Sequence, residues 1–113
     1  MRWSIVLLCL AQAGCALSDG TAIAPSAPDA AALARGIQQV ATAEKLPPPL
    51  EASAVHAAHP VSPAEWMFCV KSAAPDQLKR YAVFMNNNDV VNFRTGVLID
   101  RCDSETYKPV KTP

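Results

Sequence analysis

The stretch Trp66 to Cys102 holds the runs WMFCVKS (66–72), YAVFM (81–85) and VVNFRTGVLID (90–100), and its reading decides the fold. Each run is rich in aromatic and β-branched residues, and turn-forming clusters separate them, as in a small antiparallel meander. In the first run Trp66, Phe68 and Val70 alternate with Met67, Cys69 and Lys71, so one face is expected to be buried and the other to carry Lys71. In the second run both parities are apolar. In the third, Val91, Phe93, Thr95, Val97 and Ile99 share a face opposite Asn92, Arg94 and Gly96, the pattern of a half-buried strand. Asn86-Asn87-Asn88-Asp89 suits the intervening hairpin, because Asn and Asp tolerate positive φ and bond to their own backbone. Lys71 and Arg94 are candidate interaction residues for an acidic partner or lipopolysaccharide phosphate, and Asn86, Asn87 and Asn88 are candidates for a binding loop.

A three-stranded meander of about 50 residues rarely holds a core unaided. Cys69 lies in its first run and Cys102 just beyond its third, so a Cys69–Cys102 disulfide is the expected staple. It would close a loop of about 33 residues, worth about 3.5 to 4 kcal/mol in the chain-entropy account. The fold class expected is therefore small α+β or mainly β: a disulfide-stapled β module over 64–109, with Tyr107 folding back on the sheet edge and a frayed tail at 110–113.

Outward from the module, the first half is Ala- and Pro-rich, and several of the ten prolines fall between Pro25 and Pro63. Residues 15–63 read as a tether. Inside it, 29–46 (DAAALARGIQQVATAEKL) has high helix propensity, with Asp29 placed to cap the helix and Pro47 to stop it. Leu33, Ile37, Val40 and Ala41 share one helical face, so the helix either docks on the sheet or serves as a spacer. Leu46-Pro47-Pro48-Pro49-Leu50 is expected to be a polyproline II strut, which favours the spacer. His56 and His59 have the spacing of two metal ligands on one helical turn, but prolines follow at once and no thiol or carboxylate is near in sequence. They read as solvated linker histidines, and neither a metal nor any other cofactor is expected.

At the start of the chain, Arg2 precedes the apolar run Trp3 to Ala11, which has the length of a secretory signal core and falls well short of the roughly 20 residues that span a bilayer. Gln12-Ala13-Gly14-Cys15 resembles the lipobox of bacterial lipoproteins, in which small residues precede a cysteine that is lipidated and becomes the mature N-terminus. That resemblance implies a signal peptide at 1–14, thioether-linked diacylglycerol and usually an amide-linked acyl chain on Cys15, and stable membrane attachment. With Ala16 rather than Asp next, it implies the outer membrane, facing the periplasm. The alternative is ordinary cleavage after Ala11-Gln12-Ala13, leaving a secreted chain that starts at Gly14. Cysteine parity bears on the choice. Of four cysteines, Cys9 leaves with the signal, lipidation would take Cys15, and Cys69 and Cys102 remain as a pair for an oxidising compartment.

Over Trp66 to Pro109 the order Trp-x-x-Cys, Tyr-Ala-Val-Phe, Asp-x-Cys and a following Tyr is similar to small lipoproteins of Gram-negative bacteria. The helix-then-meander order is also similar to outer-membrane assembly lipoproteins of the SmpA/OmlA type, without their Gly-centred lead-in. A net charge of zero argues against nucleic acid as a partner. No histidine lies near Asp100, Asp103 and Ser104 in sequence, so this cluster reads as a solvated chain turn and not as a catalytic site. The function expected is a non-enzymatic structural or protein-interaction module of the cell envelope. The alternative is an inhibitor of periplasmic enzymes presenting the 86–89 loop.

Overall fold

The computed structural model describes residues 26–111. The expected signal peptide and Cys15 lie outside the described residues. Within them, one helix, α1 (Ala30–Glu44), is followed by β1 (Leu50–Ala52), β2 (His56–Ala57), β3 (Trp66–Ser72), β4 (Arg80–Asn86), β5 (Asp89–Thr95) and β6 (Lys108–Pro109). Two 3-10 turns, Leu98–Asp100 and Cys102–Ser104, lie between β5 and β6. The class is α+β with one antiparallel sheet. Its order is β5-β4-β3-β1-β6, and β2 pairs with the other end of β3. The sheet therefore has more than the three strands expected.

β1 and β2 come from the segment read as tether, and β6 from the last residues of the expected module. β1 pairs with the end of β3 (Leu50 with Ser72, Ala52 with Val70), and β2 with its start (His56 with Met67). Between them Ser53 keeps the ladder intact. Its N–H donates to Cys69 O at 2.9 Å, and its hydroxyl accepts from Cys69 N–H at 2.8 Å where a backbone carbonyl would otherwise stand. Lys108 and Pro109 pair with Ala52 and Glu51 on the outer side of β1, where a proline costs no ladder bond facing solvent.

Helix α1 docks on the sheet, and the spacer reading is corrected. Asp29 caps it as expected, accepting from Ala32 N–H at 2.8 Å. It ends in a Schellman arrangement, with Lys45 left-handed at φ 53° and Leu46 N–H reaching Ala41 O at 2.9 Å. Its buried face is Ala32, Gly36, Ile37, Val40 and Ala41. The prolines form no strut: the Pro48–Pro49 peptide is cis, Ser72 Oγ donates to Pro47 O, and Leu46 and Leu50 both join the core. The apolar stripe that looked thin in sequence suffices because small residues bring α1 close. A Cβ built on Gly36 would lie 3.4 Å from Val90 Cγ2 and 3.6 Å from Phe68 Cζ.

Both faces of β3 and β4 are consequently buried. Phe68, Val70, Tyr81, Val83 and Met85 pack under α1. Met67, Cys69, Ala82 and Phe84 pack on the opposite face beneath Cys102, Ala58, Ala64 and Tyr107. Cys69 and Cys102 are joined as expected, across 33 residues. In β5 a register shift opposite Phe84/Met85 turns Val90 toward α1 and leaves Val91 outside, 46% exposed. The shift breaks the simple alternation read from the sequence. The strand also stops at Thr95, so Val97 and Ile99 leave the face assigned to them and are half-exposed.

Candidate functional site

The hairpin loop comes first, because the sequence singled it out. Asn87 takes φ 53° in a loop of two residues between the paired Asn86 and Asp89, as expected of turn chemistry. Each of the three carboxamides accepts a hydrogen bond from the backbone of another segment. Asn86 Oδ1 accepts from Glu65 N–H at 2.8 Å, Asn87 Oδ1 from Ser26 N–H at 2.9 Å, and Asn88 Oδ1 from Asp29 N–H at 3.0 Å. Asn88 Nδ2 also donates to Asp29 Oδ2 at 3.2 Å. The loop is thus clasped to the start of α1, while Asn87 and Asn88 remain exposed.

Lys71 and Arg94 are likewise engaged. Lys71 Nζ pairs with Glu51 at 3.1 Å and sits 5.3 Å from the centre of the Tyr107 ring. Arg94 is held by Asp100, and that contact organises the most polar part of the interior.

Asp100 closes the first 3-10 turn, and its side chain is fully buried. Its Oδ1 accepts from Arg94 Nη2 at 2.8 Å and from His59 Nε2 at 2.9 Å. Its Oδ2 accepts from Arg94 Nε at 3.1 Å and from Val97 N–H at 3.0 Å. Phe84 forms the floor of this cluster, with the Arg94 guanidinium 4.9 Å over its ring and His59 edge-on at 6.1 Å. Burial alone would raise the Asp100 pKa. The hydrogen bonds from Arg94, Val97 and His59, with the Arg94 charge, outweigh it and hold Asp100 below the ordinary carboxylate value. The same hydrogen bond raises the Arg94 pKa.

The histidines are therefore not free linker residues, although the His56 side chain stays 39% exposed. Carboxylates absent from their sequence neighbourhood meet them in space: Asp100 for His59, and Glu105 for His56 at 3.1 Å. Asp100 itself is corrected from a solvated turn residue to the centre of a clamp. The His59–Asp100 link spans 41 residues, and no local pattern could have revealed it.

Chemically the cluster can bear load, but the usual nucleophiles beside it are occupied. Both neighbouring cysteines are in the disulfide, Ser62 Oγ donates to Ala64 O and Ser104 Oγ contacts Arg101 O. His59 Nδ1 is buried, with no partner among the described residues. Among the described residues no group of three or more His, Cys, Asp or Glu side chains is placed to hold a metal ion.

What the clamp does hold is the turn that follows β5. There Val97 is 50% exposed, Leu98 90% and Ile99 46%, and Leu78 across a shallow groove is 84% exposed. The groove, of about 930 Å³, is also lined by Lys79, Arg80 and Arg101. Compared with known protein families, curated proteins and solved structures, the chain matches none.

Proposed function

We propose that this protein is a lipid-anchored, periplasm-facing module of the cell envelope, attached through Cys15, with a structural or protein-interaction role and no catalytic one. The observation that carries the reading is the disposition of its polar groups. The side chains able to do chemistry around the sheet (His59, Asp100, Arg94, the two cysteines) are paired with one another inside the fold. What remains outward is contact surface. β5 is a seven-residue edge strand that pairs on one side only among the described residues, and Val91 stands half-exposed upon it. Such an edge suits strand addition by a protein partner. The alternative is an inhibitor presenting the 86–89 loop, in which Asn87 and Asn88 are exposed while bonded to Ser26 and Asp29.

Two measurements test this. Intact mass of the mature protein from membranes should show acyl groups on Cys15, whereas a chain starting at Gly14 without acyl mass rejects the anchor. A photo-crosslinker at Val91 should capture one envelope protein reproducibly. The same adduct from a crosslinker on the exposed face of α1, for example at Gln39, would reject β5 as the contact edge.

A further inference from the structure

The turn after β5 is built to keep apolar side chains outside. Val97 N–H and the buried Asp100 carboxylate are bonded to each other, Arg101 turns the chain at φ 55°, and Cys102 is fixed by the disulfide. Leu98 lies between these fixed points and is 90% exposed. It is the most exposed large apolar side chain of the described residues, and Leu78, next in exposure, lines the same groove. A small domain with both sheet faces already covered gains nothing in stability from presenting them.

Three cations line the groove with Leu98, while Glu44 and Asp76 line the neighbouring groove that also takes in Leu78 and Lys79. Lys79, Arg80 and Arg101 line the groove with a single ionisable carboxylate, Asp103, which pairs with Arg80 at 3.5 Å. Lys79 and Arg101 are exposed and make no ion pair among the described residues. In a chain of zero net charge this is a local excess of positive charge. We propose that the Leu98 ridge docks on an anionic lipid surface, with Leu98, Ile99 and Leu78 entering the headgroup boundary and Lys79, Arg80 and Arg101 meeting lipid phosphates.

The arrangement favours a bilayer over a protein partner. The exposed leucines and the cations line one groove, a pairing that suits the boundary between acyl chains and headgroups. A protein contact of this strength would call for an apolar pocket to receive an anchor side chain. The lining of this groove is instead mixed, with Thr95, Gly96, Ser104 and four charged side chains among it.

The fold also permits the contact alongside an N-terminal anchor. Ser26 is held at the Asn87 end of the β4–β5 hairpin, and the ridge lies at the other end, beyond Thr95. Seven strand residues separate the two by about 23 Å. The eleven residues from Cys15 to Ser26 can reach at most about 36 Å, enough for both to touch one membrane. The proposal stands without lipidation, so its test is run on a chain that lacks Cys15.

The chain from Ala16 to Pro113 keeps every residue of the described fold. With its disulfide intact it should co-sediment with vesicles of phosphatidylglycerol and phosphatidylcholine mixed at about 1:3, and bind pure phosphatidylcholine about tenfold less. Added salt should release it. Leu98→Ser with Leu78→Ser, and separately Lys79→Glu, should each weaken binding by about tenfold while leaving thermal unfolding unchanged, since these side chains are exposed. Equal binding to both vesicles, or binding that survives these substitutions, overturns the proposal. So does absence of vesicle binding, and a crosslinker at Leu98 that then captures an envelope protein would reassign the ridge to that partner.

Discussion

His59 Nε2 lies 2.9 Å from Asp100 Oδ1, joining the segment before β3 to the turn after β5. Because Asp100 also receives Arg94 and the Val97 N–H, one buried carboxylate holds three parts of the chain on the Phe84 face of the sheet. Asp100→Ala would leave the His59 and Arg94 donors facing each other without an acceptor. The expected loss is about 2 to 4 kcal/mol, at the lower end of buried-pair values because Arg94 keeps access to water. Urea unfolding measures it. A change below about 0.5 kcal/mol would show that the clamp does not hold the fold.

The same carboxylate sets the acid limit. Its pKa in the fold is lowered from the 3.8 of a free side chain, so it contributes stability that is fully present above 3.8 and is lost as pH falls through the lower folded value. At the alkaline end the sign reverses. Burial pushes the Tyr107 pKa from 10.0 up to about 12, so its contribution is complete below pH 10.0 and disappears as pH rises through about 12. Tyr107 Oη donates to Cys102 O at 2.7 Å, and ionisation removes that donor. Unfolding free energy should therefore fall off at both ends. Asp100→Asn should flatten only the acid limb and Tyr107→Phe only the alkaline one, and any other pairing of variant and limb would contradict these assignments.

Two glycines make opposite predictions from one geometric criterion. At Gly36, in mid-helix, an added Cβ finds ordinary contacts at 3.4 to 3.6 Å. Gly36→Ala should accordingly raise stability by about 0.5 to 1 kcal/mol through helix propensity. At Gly96 the added Cβ would stand 3.1 Å from Cys102 Sγ and 3.4 Å from Arg80 O, neither of which is the free end of a flexible side chain. Gly96→Ala should cost about 1 to 2 kcal/mol. Paired thermal melts decide both, and a loss at Gly36 would mean that α1 sits closer to Met85 and Val90 than described.

The sequence carried the parts of the fold whose signal is local. The runs of β3 and β4, the Asp29 cap, the Asn86–Asn88 turn and the Cys69–Cys102 pairing were legible because each depends on neighbours in the chain or on cysteine parity. The sheet edge contributed by Leu50–Ala52 was not, since three residues after a proline run have no period to read. The docking of α1 was hidden for a different reason. A glycine in mid-helix has no apolar side chain to read, and only beside Phe68 and Val90 does the small size of Gly36 become the feature that admits the sheet. The Asp100 clamp was invisible because its partners come from positions 59, 94 and 97, and a charged side chain in a polar turn is ordinarily solvated.

The disulfide ties β3 to the turn that follows Asp100, on the Phe84 face of the sheet. Closing 33 residues removes about 3.5 to 4 kcal/mol of entropy from the unfolded chain. The docking of α1 means that this is not the only support, since Phe68, Val70, Val83 and Met85 stay covered by Val40 and Ile37 without it. The opposite face has no such cover. There Cys102 itself roofs Met67, Ala82 and Phe84, beside the turn that carries Asp100 and Leu98. Cys69→Ala with Cys102→Ala should therefore lower stability by about 4 kcal/mol. Amide exchange should show protection failing first from Arg94 to Ser104 and the segment about His59, with α1 and the centre of β4 failing last. Uniform loss across both faces would show instead that the bridge stabilises the module only as a whole, and an unchanged melting temperature would remove it from the energetics of the fold.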